Sequence, residues 1–127
     1  MKKFWIGDLC YVIEDWTDFC DKTINGSEII DGEITLNSGA KVWFHGTAHG
    51  DGVYFDQYEN EYGVDAGLIG IIEVSDITNK SGINLGHIFE FEEFPECDYE
   101  NGLITFGSVR IDTDPDEDYD EEYCECL

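Results

Sequence analysis

Basic residues are scarce in this sequence: six lysines and arginines stand against 30 aspartates and glutamates, for a formal net charge of −24. A protein that binds DNA or RNA directly needs a basic surface, and anionic membranes repel a chain of this charge. Both kinds of partner are therefore excluded. The partners that such a field attracts at long range are basic proteins, basic peptides and metal cations.

Long apolar runs are also missing, and none reaches the length of a membrane-spanning helix. The first residues lack the apolar region and the small-residue cleavage site of a secretory signal. The five cysteines do not have the spacing of a disulfide framework. Together these absences predict a cytoplasmic protein with reduced thiols.

The composition is nevertheless that of a folded protein, because 42% of the residues are hydrophobic and 14% are aromatic. Acidic disordered chains lack such a content of aromatic residues. A length of 127 residues fits one domain. We expect a single β-rich domain over residues 1–112 and an acidic tail over residues 113–127, where a charge run closes the sequence.

Short apolar runs separated by turn residues predict the fold. Residues 3–13 are expected to form a strand, a Gly-Asp kink and a second short strand, and the apolar run 66–74 a central strand. Residues 14–22 are the one good helix candidate, with Asp15 as its cap. The predicted class is mainly β (α+β): a compact antiparallel barrel or sandwich of six to eight short strands with one N-terminal helix.

The segment around residues 89–100 alternates aromatic and acidic residues, as a strand does when one face is buried and the other is in water. Glu90 and Glu92 are expected to form a row of charges above Phe89 and Phe91, with the sign and spacing of phosphates along a nucleic-acid strand. We predict three groups of partner-binding carboxylates: Glu90, Glu92, Glu93, Glu96, Asp98 and Glu100 in this segment; Asp114, Asp116, Glu117, Asp118, Asp120, Glu121 and Glu122 in the tail; and Glu14, Asp18 and Asp21 on the outer face of the helix.

Two other classes of function remain open. His45, His49 and Asp51 have metal-ligand side chains at close spacing and would make a metal-binding module or a small metal-dependent enzyme. An ordinary acidic binding domain, including one adapted to high salt, is the other class. Two weaker metal sets are a calcium-like run at Asp112, Asp114 and Asp116, and a zinc set of Cys97, Cys124 and Cys126 with His87.

Three segments of the chain resemble a family of small proteins of bacteria and their phages. They are WIGDLCYV at 5–12, TAHGDGVYFD at 47–56 and YGVDAGLIGII at 62–72. The family pattern has an Ile-Gly-Asp-x-Cys-Tyr-Val start, a Gly-Asp-Gly turn and an Asp-Ser-Gly-Leu-Ile-Gly-like strand. Leu9 replaces a proline of that pattern and Ala66 a serine. The resemblance implies a structural role for these residues and no particular activity.

In overall character the chain also resembles the acidic nucleic-acid mimics that phages and mobile elements direct against host proteins. That resemblance is one of size and charge, without a shared motif. It implies an inhibitor without catalytic residues or cofactor, which occupies the basic surface of a nucleic-acid-binding partner. Partners of this kind are defence nucleases, CRISPR effectors and nucleoid proteins.

Overall fold

The computed structural model describes residues 1–25, 28–29, 32–36 and 38–113. Within these residues it contains twelve strands, one α-helix and three short 3-10 segments. The helix α1 spans Trp16–Thr23, and the 3-10 segments span Leu9–Tyr11, Val74–Asp76 and Lys80–Leu85. The strands are β1 (Lys2–Gly7), β2 (Ile24–Asn25), β3 (Glu28–Ile29), β4 (Gly32–Thr35), β5 (Lys41–Gly46), β6 (Gly52–Asp56), β7 (Glu61–Val64), β8 (Leu68–Glu73), β9 (His87–Phe91), β10 (Cys97–Glu100), β11 (Leu103–Phe106) and β12 (Val109–Asp112).

Ten of these strands form two antiparallel sheets of five. The first sheet has the order β4-β5-β8-β1-β9, and the second has the order β10-β11-β12-β6-β7. Strands β2 and β3 pair with each other separately. Strand β8 lies in the middle of the first sheet and is buried from Leu68 to Ile72, as expected for a strand covered on both faces. The prediction of a central strand in the apolar run 66–74 is confirmed.

The two sheets pack face to face around one apolar layer. Phe4 and Ile71 of the first sheet lie in the same buried cluster as Tyr62, Ile104 and Phe106 of the second sheet. Because the sheets remain separate in the strand order, the fold is a sandwich and not a closed barrel. The prediction of a mainly β antiparallel fold is confirmed. The expected six to eight strands were too few, since the short strand β7 was not recognised and β10 was not separated from β9.

A second apolar layer lies on the other face of the first sheet. Trp5 and Phe44 of that sheet belong to the same cluster as Phe19 of the helix. Phe19 in turn stacks on Trp16, with 4.4 Å between ring centroids. The helix begins two residues later than predicted, and the expected cap is present, since Oδ1 of Asp15 accepts the amide N–H of residue 18 at 3.1 Å.

The predicted second strand within residues 3–13 is wrong. After β1 the chain makes a 3-10 turn over Leu9–Tyr11, and the carboxylate of Asp8 caps this turn by accepting the amide N–H of Cys10 at 3.0 Å. A capped turn satisfies backbone donors that a strand would pair with a neighbour. Of the apolar residues of this stretch that the sequence predicts in the core, Trp5, Leu9 and Ile13 are buried, because the turn also directs Leu9 inward, whereas Tyr11 is only half-buried.

The last described residue, Thr113, closes the second sheet. It is fully buried, and its amide N–H donates to the carbonyl of Gly102 at 2.8 Å. The predicted acidic tail thus lies, from residue 114 on, outside the described residues. None of the helices in the described ranges has the length and apolar character needed to cross a membrane.

Candidate functional site

The six carboxylates predicted first lie along one continuous stretch, residues 90–100, which we call the acidic segment. The segment leaves β9 at one edge of the first sheet, crosses the end of the sandwich and enters β10 at one edge of the second sheet. All six carboxylates are exposed: Glu90, Glu92, Glu93, Glu96, Asp98 and Glu100.

Aromatic side chains anchor the acidic segment to the body of the protein. Phe89 and Phe91 pack against the layer between the sheets, so the predicted alternation around Glu90 is confirmed. Phe94 packs edge-on against Phe4, with 5.6 Å between ring centroids. Each exposed carboxylate of the segment is therefore close in sequence to a packed side chain that fixes the backbone beneath it.

The alternation predicted that Glu92 would continue a strand row with Glu90, and this prediction is wrong. Strand β9 ends at Phe91, and the next three residues are bends. In a longer strand Glu93 would share the inner face of Phe91 and bring a charge into the apolar layer, which is costly. The bend keeps Glu93 exposed and lets Phe94 pack instead.

Strand β10 restores the alternation on the second sheet. Cys97 and Tyr99 pack against the layer between the sheets, while Asp98 and Glu100 are exposed. Two carboxylates two residues apart on one strand face are separated by about 6.6 Å along the strand. Asp98 and Glu100 thus form the carboxylate pair that the sequence had placed at Glu90 and Glu92.

The two ends of the acidic segment face opposite sides of the sandwich. Phe89 and Phe91 point from the first sheet toward the second, so Glu90 points away from the second sheet. Tyr99 points from the second sheet toward the first, so Asp98 points away from the first sheet. The six carboxylates therefore form a band that wraps around the end of the sandwich and not a straight row.

Two lysines border this band. Lys3 is directly opposite Glu90 in the antiparallel register of β1 and β9. The ammonium group of Lys41 lies 4.5 Å from the ring centroid of Phe94 and forms a 3.6 Å ion pair with Glu33. Lys3 lies at the start of the band and Lys41 beside its middle, and because both are exposed, each weakens the negative charge of the nearest carboxylates only.

The helix group was predicted to form an exposed stripe, and this is wrong for Asp18. Glu14 and Asp21 are exposed, but Glu14 precedes the helix and Asp18 is only 8% exposed. Asp18 lies in the first turn of the helix, and its amide N–H donates to the carboxylate of Asp15. Its side chain faces the body of the protein. The predicted stripe is thereby reduced to two separate carboxylates.

Asp18 instead borders a cavity of about 370 Å³ that sequence patterns did not reveal. Burial, and then the negative charge of Glu73, raise the pKa of the Asp76 carboxyl at this cavity. The remaining carboxylates come from sequence positions far from Asp76, so only the fold brings them together. The cavity is lined by Ile13, Leu36 and Ile72, by the carboxylates of Glu14, Asp15, Asp18 and Asp76, and by Ser38 and Thr78.

The metal alternative at His45, His49 and Asp51 finds no matching geometry. The ring of His45 stacks flat on Tyr99, with 3.6 Å between centroids and an interplanar angle of 5°. His49 and Asp51 lie in the exposed loop that follows β5. Across the part of the chain that the structure describes, no group of three or more His, Cys, Asp or Glu side chains is placed to hold a metal ion.

The two weaker metal sets fall largely outside the described residues, which exclude Asp114, Asp116, Cys124 and Cys126. Cys97 is half-buried, and burial raises the pKa of its thiol to about 12; the charge of Lys41 opposes this rise in part, and the charge of Glu33 adds a smaller rise than Lys41 removes. The ring of His87 contacts the carbonyl of Glu61 at 2.7 Å through Nε2. These contacts describe a protonated thiol and an imidazole engaged in the packing of the sandwich.

The three segments of the family resemblance meet at one end of the first sheet. The buried carboxylate of Asp8 accepts the amide N–H groups of Asp65 and Ala66, at 2.7 and 2.6 Å. The amide N–H of Thr47 donates to the carbonyl of Gly67 at 3.0 Å. Asp8 thus connects the start of the chain to the loop before β8, and Thr47 connects that loop to the loop before β6. These residues have a structural role.

Cys10 lies beside this junction but is a poor nucleophile. Burial and the interactions with Asp8 and Asp65 raise the pKa of its thiol to about 12, so the thiolate is scarce at neutral pH. The hydroxyl of Tyr11 donates to Oδ2 of Asp65 at 2.7 Å, and burial together with this bond raises the pKa of the tyrosine. Hydrogen bonds therefore hold the junction together, and the Cys10 thiol within it is mostly protonated at neutral pH.

Comparison of this chain with protein-family models, with curated proteins and with solved structures gave no match.

Proposed function

We propose that this protein is a non-enzymatic inhibitor that acts in the cytoplasm by occupying the basic nucleic-acid-binding surface of a partner protein. The acidic segment takes the place of a stretch of phosphates. Partners that fit this chemistry are a defence nuclease, a CRISPR effector or a nucleoid protein, and a phage or mobile element gains from blocking each of them.

The observation that carries this proposal is the exposure of all six carboxylates along the acidic segment. The segment contains no lysine or arginine, so nothing within it interrupts the negative charge. A basic channel that binds nucleic acid recognises closely spaced anions on a continuous backbone. The acidic segment supplies such anions along one chain of eleven residues.

Preorganisation supports the same function. Packed aromatic side chains, such as Phe91, Phe94 and Tyr99, hold the backbone between the carboxylates. A rigid array of charges loses less conformational entropy on binding than a disordered acidic chain does. The net charge of −24 adds long-range attraction to a basic partner, which speeds encounter and makes binding sensitive to salt.

The proposal is tested with two variants of equal charge. Glu92→Lys/Glu96→Lys alters the acidic segment, and Asp51→Lys/Glu59→Lys alters exposed carboxylates elsewhere, so each pair of changes makes the net charge −20 instead of −24. Proteins captured by the wild type from a nuclease-treated bacterial lysate are eluted in a salt gradient and identified. Each purified partner is then bound to labelled DNA or RNA, and the three forms compete for it.

We expect the wild type to displace the nucleic acid and the Glu92→Lys/Glu96→Lys variant to require at least about tenfold higher concentration, since each lost phosphate-like contact weakens an electrostatic interface. The Asp51→Lys/Glu59→Lys control is expected to compete like the wild type. Equal competition by both variants would show that only the total charge matters. Capture of partners without nucleic-acid-binding activity would refute the proposed function.

A further inference from the structure

The outer face of the second sheet combines carboxylates with exposed apolar side chains. In the antiparallel register, one row across all five strands runs Glu100, Leu103, Asp112, Phe55 and Glu61. Residues paired in this way project to the same side of a sheet. Carboxylates and apolar side chains therefore alternate along this row.

The apolar members of this face are open to solvent. Phe55 is 52% exposed and Val53, two residues earlier on β6, is 53% exposed. The helix covers the outer face of the first sheet. On the second sheet, the exposure of Val53 and Phe55 shows that no residue in the described ranges packs over them. An aromatic ring exposed on a strand inside a sheet is a feature of surfaces that bind other molecules.

A depression of about 280 Å³ lies on this face beside Phe55 and is bordered by Leu103, Asp112 and Arg110. Neighbouring strands are about 4.8 Å apart, so Phe55 lies between Asp112 and the exposed Glu61 in the row. Phe55 and Glu61 therefore offer an aromatic face and a carboxylate within the reach of one long side chain. Arg110 is the single basic residue among the paired side chains of the face, against the carboxylates of Glu61, Asp98, Glu100 and Asp112.

This combination matches the chemistry of arginine. A guanidinium group is planar, stacks on aromatic rings and forms paired hydrogen bonds with a carboxylate. Lysine carries a compact, strongly hydrated charge, which gains less from an aromatic face. A surface that carried only charge would treat the two residues alike, whereas Phe55 beside Glu61 favours arginine.

We propose that the outer face of the second sheet binds an arginine-rich segment of the partner, with one guanidinium stacked on Phe55 and paired with the neighbouring carboxylate of Glu61. This inference rests on the proposed function and names the partner chemistry that the face selects. Charge complementarity favours this occupant, since a second copy of the chain would bring the same carboxylates and be repelled.

The face also joins the acidic segment. Asp98 and Glu100 of β10 belong to both, since they end the acidic segment and begin the cross-strand rows. A partner held at the end of the sandwich would thus extend its contacts over β11, β12 and β6. The outer face adds side-chain selectivity to the electrostatic attraction that the acidic segment provides.

The test uses two synthetic probes, a peptide of nine arginines and a peptide of nine lysines, with the full-length protein. Phe55→Ser removes the stacking ring, and Ile88→Ser is the matched control, because Ile88 is 45% exposed on the outward side of β9 in the first sheet. Affinities are measured by calorimetry at low and at physiological salt. Circular dichroism checks that each variant keeps the wild-type strand content.

We expect the arginine peptide to bind the wild type about threefold to tenfold more tightly than the lysine peptide, as one desolvated cation–π contact would give. Phe55→Ser should remove this preference, and Ile88→Ser should keep it. Equal affinity of the wild type for both peptides, or an unchanged preference in Phe55→Ser, overturns the inference.

Failure of this inference is distinguishable from failure of the proposed function. If Phe55→Ser leaves partner binding intact while Glu92→Lys/Glu96→Lys weakens it, the inhibitor acts through the acidic segment alone and the outer face has no part. If Glu92→Lys/Glu96→Lys also has no effect beyond that of its charge-matched control, the proposed function itself fails.

Discussion

The hydroxyl of Tyr62 donates a 2.7 Å hydrogen bond to Oδ2 of Asp56, and both side chains are buried. Asp56 also accepts the amide N–H groups of Tyr58 and Asn60, at 2.8 and 3.0 Å. Burial by itself would raise the pKa of Asp56, but the hydrogen bonds from Asn60, Tyr62 and Tyr58 outweigh it, so the pKa is lowered. One ionised carboxylate thus holds the turn between β6 and β7.

We predict that Tyr62→Phe lowers the free energy of unfolding by about 1.5 to 3 kcal/mol, the usual contribution of a hydrogen bond to a charged group. The change keeps the aromatic ring and removes only the hydroxyl donor, so Oδ2 of the buried Asp56 carboxylate loses one hydrogen bond. Urea denaturation measures the difference. Tyr58→Phe is the control, because Tyr58 is 58% exposed and should change the stability little. Equal losses in the two variants would contradict this account of Asp56.

Asp76 gives a prediction of the opposite sign. Burial and the charge of Glu73 raise its pKa in the folded protein above the unfolded value. An acid with a raised folded pKa favours folding while it is protonated, and stability is lost as pH rises above the unfolded pKa of about 3.9. Asp76→Asn is therefore expected to raise Tm at pH 7 and to have a progressively smaller effect as pH falls below that value.

The matched control for this measurement is Asp51→Asn, since Asp51 is exposed in a loop. Thermal unfolding of the wild type and both variants at pH 3 and pH 7 separates the two cases. An equal rise in Tm for both variants at pH 7 would point to the relief of general repulsion at a net charge of −24 and not to burial of Asp76.

Gly70 of the central strand β8 is closely packed. A Cβ atom at this position would lie 2.6 Å from Cδ1 of Leu9 and 2.8 Å from the carbonyl oxygen of Trp43. Gly70→Ala is expected to destabilise the protein by about 1 to 3 kcal/mol through overpacking. Gly63→Ala on β7, where a Cβ would meet nothing within 4 Å, should be tolerated. Chemical denaturation compares the two, and similar stabilities would refute the packing argument.

The sequence predicted the sandwich where apolar periodicity is strong. Strand β8 was found because it is apolar throughout. Strand β10 was not separated from β9, because the alternation of aromatic and acidic residues extends from residue 89 to residue 100 across the break at Pro95. The 3-10 turn at Leu9–Tyr11 was missed because a capping side chain, Asp8, decides it and not the apolar pattern.

For the candidate site, the exposure of the carboxylates could be predicted and their arrangement could not. Alternation with aromatic residues was enough to expect Glu90 and Asp98 in solvent. That they face opposite sides of the sandwich follows from the crossing between the two sheets, which is a tertiary feature. The cavity beside Asp76 and the outer-face row through Phe55 depend on how distant segments pair, so they cannot be predicted from a local sequence pattern.

The wrapping of the acidic segment around the end of the sandwich sets the shape of any molecule that engages it fully. A flat surface touches Glu90 or Asp98 but not both, because the two point in opposite directions. A partner that contacts both must have a cleft with a basic surface on each side. The end of the sandwich would then enter this cleft as a nucleic-acid duplex does.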